Sequence, residues 1–335
     1  MDGDDNRRMS PNIAMPSPAT PAEIAALNGQ VRLDDWGLIR AQGPDAASFL
    51  QGQLTQDVAS LTPGVARLAG YCSAKGRLLA SFVVWRDTAA ADTPDTFWLA
   101  CSADLLTATL KRLSMFVLRA KCKLSDASAE FALVGVAGME SVAALGAGVP
   151  AAPWATAANA AGRLICLPNV AGLPRVVLVQ AADAAPLALP ALAPDDWAWL
   201  EVRSGVARIV AATVDQFVPQ MVNLEVVGGV NFGKGCYPGQ EVVARSQYRG
   251  TLKRRAMLFD ADATLSPGQE VFHSADPGQP AGMVVIAAQR GNGSASALVE
   301  VKLAALAAGS LHAGAVDGPL LTPVALPYAL PSDAG

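Results

Sequence analysis

Lys234-Gly235-Cys236-Tyr237-Pro238-Gly239-Gln240-Glu241 sets a single thiol between a lysine and a helix start. Proline suits the first turn of a helix, so Pro238 is read as opening one and leaving unpaired backbone N–H groups beside Cys236. An ammonium and a helix start both favour a thiolate, which makes Cys236 a candidate nucleophile or ligand with Lys234 poising it. A lone cysteine can also be a small buried hydrophobe. The flanking residues tip the balance toward chemistry. From Arg245 to Arg255 there are five basic side chains (Arg245, Arg249, Lys253, Arg254, Arg255), the aromatic Tyr248 and no acid. The 335-residue chain carries a net charge of −4, so this basic run is local. It suits a carboxylate-rich small molecule, a phosphate or an RNA backbone; a solvated basic turn is the bland alternative.

Working outward, composition narrows the chemistry. The length suggests two or three domains with real cores. Five cysteines are scattered, odd in number and never spaced C-x-x-C, and there are only two histidines. That makes a poor disulfide framework, a poor zinc or iron–sulfur site, and a poor source of a Cys–His or Ser–His pair. A reducing cytoplasm is the natural compartment. No apolar run is long enough to span a bilayer, and residues 1–25 read as a polar, Pro- and Ser-rich disordered tail.

The elements read as α+β. Val31 to Ile39 is a strand, and Gly43-Pro44-Asp45 opens a helix through about Val58 that buries Phe49, Leu50 and Leu54. Two strands flank a turn at Ser73-Ala74-Lys75-Gly76. Phe97 to Cys101 is a strand and Ala103 to Met115 a helix. Arg119, Lys121 and Lys123 alternate with apolar residues, so they form the basic face of a strand. A second strand–helix–strand set follows (131–136, 139–145, 164–167, 175–179), then a proline-rich crossing segment, 181–194. Beyond Lys253, short strands and Gly/Pro turns suggest a small β-barrel. Trp36, Trp85, Trp98, Trp197 and Trp199 are read as core. Gly228 to Gly235 matches a phosphate loop at seven positions, but Gly235 stands where a magnesium-holding hydroxyl belongs, so a nucleotide site is set aside.

The stretch Gln216 to Leu224, then Gly229 to Arg249 with Lys-Gly-Cys-Tyr-x-Gly-Gln-Glu inside it, resembles the YgfZ-type folate-binding proteins, relatives of the glycine cleavage aminomethyltransferase (T-protein). Gly43-Pro44-Asp45, Phe49 to Gln53 with Asp57, and Lys75-Gly76-Arg77-Leu78 resemble that family in the same order, over about Leu33 to Arg255. The resemblance implies a T-protein-like ring of two interleaved α/β subdomains (26–252) and a C-terminal β-barrel (253–330) around a central folate cleft. It implies an accessory role in iron–sulfur cluster assembly or repair, supporting enzymes such as tRNA methylthiolases, with tetrahydrofolate or a polyglutamylated folate as cofactor. Its expected partners are iron–sulfur enzymes or cluster-assembly proteins.

Carried over by position, the reactive thiol is Cys236 with Lys234, and the folate-contact candidates are Asn223, Tyr237, Gln240, Glu241, Arg245, Tyr248 and Arg249. The bland alternative for Glu241 and Arg245 is a pair four residues apart on one helix. One position departs from the pattern. Relatives often show an acid just before Ala-Gly, and in the aminomethyltransferases an acid in this region helps hold the pterin. This chain has Arg203 there, with Glu201 two residues earlier. Two rivals stand beside this reading. One is a folate-dependent one-carbon transferase using Asp57 or Glu241 as base; the other is direct RNA contact through Arg245 to Arg255.

Overall fold

The computed structural model describes residues 21–87, 95–248, 252–290 and 293–331. It opens with a short helix, α1 (Pro21–Ala25), so the expected disordered tail does not reach residue 25. Next come β1 (Gly29–Arg32) and β2 (Trp36–Gln42). The expected single strand over Val31 to Ile39 is therefore two. Leu33 and the acidic pair Asp34-Asp35 form a turn between them, in which the Trp36 N–H donates to the Leu33 carbonyl at 3.2 Å. The two halves then join different sheets.

α2 (Ala46–Gln51) ends seven residues before the expected Val58, although Phe49, Leu50 and Leu54 are buried as expected. The chain leaves the helix because Thr55 N–H donates to Gly70 O at 2.9 Å, pairing this segment with the next strand. That strand is β3 (Ala66–Cys72), followed by β4 (Leu78–Asp87), β5 (Thr96–Ser102), α3 (Ala103–Val117) and β6 (Lys123–Asp126). The basic strand expected at 119–123 is mostly a turn: Leu118 takes φ 45° and only Lys123 lies in β6. The alternation holds only in part: Arg119, Lys121 and Lys123 are exposed and Ala120, Cys122 and Leu124 half-buried, but Leu118, expected on the apolar face, is exposed as well.

β7 (Phe131–Ala137), α4 (Met139–Ala144), β8 (Thr156–Asn159), β9 (Gly162–Val170) and β10 (Leu173–Ala181) complete the second set. α5 (Pro194–Arg203) and α6 (Gln240–Tyr248) precede six barrel strands. These are β11 (Arg254–Ala261), β12 (Glu270–His273), β13 (Asp276–Gln289), β14 (Ala295–Lys302), β15 (Leu311–Ala313) and β16 (Leu320–Val324).

One five-stranded antiparallel sheet runs β3-β4-β5-β2-β6 and the other β1-β7-β10-β9-β8, so β1 belongs with strands a hundred residues downstream. The six later strands close a barrel in the order β11-β14-β13-β12-β15-β16. α5 joins these parts through two tryptophans on different faces. Trp197 packs on the second sheet so closely that a Cβ on Gly135 would sit 2.7 Å from its ring. Trp199 faces the barrel and donates its indole N–H to Ser296 Oγ at 2.9 Å. Among the described residues no helix is long and apolar enough to cross a membrane.

Candidate functional site

The loop from Lys234 to Gly239 is held from below by side chains of its own signature. Lys234 is buried, and its ammonium donates to the carbonyls of Gln51 and, at 2.6 Å, Leu54. It thereby closes the C-terminal end of α2, where the helix dipole favours a cation. The same ammonium lies 4.9 Å from the Tyr237 ring centroid. Burial pulls Lys234 down to about 8, against the opposing charges of Asp57 and Cys236. Tyr237 is buried as well, and burial pushes its phenol up, with Cys72 adding to the shift. The loop thus has two buried anchors, and Cys236 between them is exposed.

α6 begins at Gln240, two residues beyond Pro238, with Gly239 at φ 76° accepting the Val243 N–H. Cys236 therefore stands ahead of the helix on a loop, and the cation expected to poise it is committed to the carbonyls of Gln51 and Leu54. Among the five cysteines, all described, Cys236 alone is exposed. Burial pushes Cys72 and Cys101 up to about 12, Cys122 to about 11 and Cys166 upward. Among the described residues no group of three or more His, Cys, Asp or Glu is placed to hold a metal ion.

The other sequence candidates separate. Asn223 is fully buried; its amide N–H groups go to Ala256 O (2.8 Å) and Tyr328 Oη (3.3 Å), and its oxygen accepts from Arg255. It ties the end of the Pro219–Val222 turn to the barrel strand β11 and to Tyr328. Glu241 and Arg245 are both exposed on α6, and among the described residues no ion pair joins them. Tyr248 is 71% exposed, edge-on to Phe232 with centroids 5.9 Å apart. Gln240 is half-buried at the start of α6. Arg249 lies outside the described residues. Of the basic run, Arg254 pairs with Glu300 (2.7 Å) and Arg255 is buried against Glu225, which leaves Arg245 and Lys253 exposed. Ser60 donates to Asp57 at 2.5 Å and holds its carboxyl below the usual range, a poor setting for a general base.

A second feature was not found from the sequence. Where the two sheets, α5 and the barrel meet, a cavity of about 530 Å³, mouth included, lies between mainly apolar walls. Leu68, Phe82 and Val83 come from the first sheet, Leu167 and Arg175 from the second, and Ile286 from the barrel. Trp36, expected in the core, is half-buried and lines it. The acid in the cavity is Glu201. It accepts from Trp36 Nε1 at 3.1 Å and from Arg208 Nη2 at 3.3 Å, while burial pushes its pKa up. Arg208 is also held by Asp35 and lies 4.9 Å from the Trp36 ring centroid.

Arg203 points elsewhere. Its guanidinium donates to Asp260 of β11 at 2.8 Å and stacks 5.0 Å from the Trp199 centroid. The substitution that looked like the loss of a pterin anchor is thus an interface pair, and the acid two residues earlier occupies the cavity. Residues two apart on a helix point about 200° apart, a difference that the sequence exposes only once each face has a partner.

Two interleaved five-stranded sheets and a closed six-stranded barrel give this chain the fold of the aminomethyltransferases. The glycine cleavage aminomethyltransferase T of Bartonella henselae superposes with a TM-score of 0.67, at 16% identity, over 91% of this chain and 86% of that one. No protein-family model matches the sequence. The curated relative named tRNA-modifying protein YgfZ from Edwardsiella ictaluri is 39% identical over 73% of this chain and 74% of its own length. The protein of the same name from Klebsiella pneumoniae is 33% identical over 70% and 72%. The chain belongs to the YgfZ family.

Proposed function

We propose that this protein binds a tetrahydrofolate in the cavity beside Glu201. It then serves, in the cytoplasm, as an accessory factor for iron–sulfur cluster assembly or repair, supporting iron–sulfur enzymes that modify tRNA. The observation that carries the folate part is the cavity's chemistry. A mainly apolar slot with one carboxylate, that of Glu201, suits a flat ring that bears N–H donors on one edge. The tRNA part rests on the likeness to the two relatives named tRNA-modifying proteins.

A bound reduced folate would supply a carrier for one-carbon units. This chain's residues would do the holding. Glu201 would accept from the ring's N–H groups, and Arg208 and Trp36 keep its carboxyl in place. The Leu68, Phe82, Val83, Leu167 and Ile286 walls would exclude water from the ring faces. Cys236 is the reactive thiol of this reading: exposed on an anchored loop, it is free to exchange with a disulfide or persulfide on a partner.

Calorimetric titration with tetrahydrofolate tests the first part: micromolar binding by the wild type, lost in Glu201→Ala, is expected. Absence of wild-type binding removes folate from the reading. Cells lacking the native protein test the second. Complementation by the wild type but not by Cys236→Ser, read as tRNA methylthiolation, is expected, and full rescue by Cys236→Ser removes the thiol role.

A further inference from the structure

Met115, Phe116 and Leu118, at the end of α3, are 58%, 45% and 86% exposed. Among the described residues nine large apolar side chains are exposed, and three of them fall within these four positions, so they form a patch. Leu118 takes φ 45°, a strained backbone that glycine adopts freely, so neither burial nor conformation calls for a leucine there. Between Asp104 and Asp126 the chain carries five basic residues and no acid, although its net charge is −4. All five are exposed. Lys111 and Arg112 stand one helical turn before Met115, and the other three follow Leu118, so the apolar patch has a cationic rim.

Two routes connect this patch with the Cys236 loop. Asp45, at the start of α2, accepts from the Lys121 N–H at 2.7 Å, while Lys234 donates to the Gln51 and Leu54 carbonyls at the other end of that helix. Six helical residues span about 9 Å. Independently, the Arg112 guanidinium reaches the Tyr71 phenol, and the Tyr71 backbone bridges to Leu54. A standard interface covers about 800 Å² a side, which is wider than this separation.

We propose that the end of α3 docks a partner protein whose apolar recess, ringed by carboxylates, takes Leu118, and that docking there sets the partner beside Cys236. The inference rests on the proposed accessory role and names the surface that serves it. Met, Phe and Arg are residues that protein interfaces favour, and the rim calls for an acidic partner. RNA would engage the cations and leave Met115 and Leu118 in water. Neither RNA nor lipid brings the disulfide or persulfide with which Cys236 is proposed to exchange. A two-fold pairing of this face with a second copy would set cation against cation.

The test is binding of a purified iron–sulfur tRNA methylthiolase to the full chain, to Leu118→Gly and to the double variant Arg119→Glu, Lys123→Glu. Wild-type affinity is expected to fall with salt. Leu118→Gly is expected to bind about thirtyfold more weakly, the loss that truncating a central interface side chain gives. The same variant is expected to melt no lower than the wild type, since it relieves the positive φ, and to keep its reaction with a thiol reagent at Cys236. The charge-reversed variant is expected to bind more weakly and to lose the salt dependence. Binding by the wild type that neither variant weakens overturns the inference and leaves the accessory role standing. Failure of the wild type to bind overturns the inference too, and rescue of methylthiolation by Cys236→Ser reads the accessory thiol role separately. Binding of tRNA alone, or of phosphatidylglycerol vesicles, that Leu118→Gly abolishes would give the patch to that occupant and overturn the assignment to a protein.

Discussion

Gly76 and Gly239 meet backbone to backbone: a Cβ on Gly239 would lie 2.5 Å from both Cα and N of Gly76. Both glycines have positive φ, 70° and 76°, a conformation other residues adopt only under strain. The contact seats the β3–β4 turn on the end of the loop that carries Cys236. Two stretches that looked separate in the sequence, Lys75-Gly76-Arg77 and the Cys236 signature, are one structural unit.

Gly239→Ala is therefore expected to destabilise the fold by about 2 kcal/mol or more, since it combines backbone strain with a clash against rigid main chain. Urea unfolding measures this. Gly235→Ala, at a position where a Cβ meets nothing within 4 Å, is the control and is expected to change little.

Lys234 makes stability depend on alkaline pH. Burial lowers its folded-state pKa from 10.5 to about 8. Between those values the unfolded chain holds a proton that the folded chain has released, so this group's contribution rises with pH across the window and levels off above it. Below about pH 8 that contribution is absent. Subtracting the stability–pH curve of Lys234→Met from that of the wild type is expected to leave a rise between about pH 8 and 10.5. A flat difference would mean that the ammonium is not desolvated as described.

Arg203→Glu is expected to lower stability and leave folate affinity unimproved. The new carboxylate would face Asp260, whose side chain is 13% exposed, in place of a cation at 2.8 Å. Breaking a buried pair of this kind costs about 3–5 kcal/mol. Thermal melting and folate titration on the same variant check both halves; tighter folate binding would show that residue 203 does reach the cavity.

A thiol reagent such as Ellman's reagent is expected to modify one cysteine of native protein rapidly, and none in Cys236→Ser. Cys72, Cys101 and Cys166 are buried and Cys122 is only half-exposed, with its pKa raised to about 11. Cys236→Ser itself is expected to change stability by no more than about 0.5 kcal/mol, the usual range for an exposed site.

Local chemistry was readable from the sequence alone wherever it reported itself within a few residues. The Ser73 to Gly76 turn, the α3 helix, the barrel strands and the exposed thiol all carry such signals in residue type and period. Several readings of single segments changed once partners far along the chain were in place. Val31 to Ile39 looked like one strand because its apolar pattern is continuous, yet its halves pair with β7 and β5. The basic run looked free, yet Arg254 and Arg255 meet Glu300 and Glu225. Asn223 looked like a ligand contact and is consumed by Ala256 and Tyr328.

The sequence by itself determined that a thiol signature, an α+β body and a C-terminal barrel are present, because composition and periodicity are properties of short segments. Only the tertiary structure decided which charged groups face the cavity. Glu201 and Arg203 are two residues apart on one helix, and Arg175 comes from a different sheet. Nothing in their local sequence distinguishes a charge that lines the cavity from one paired at the barrel. That difference is electrostatic: Arg203 has Asp260 within hydrogen-bond distance, and Arg175 Nη1 has no protein acceptor.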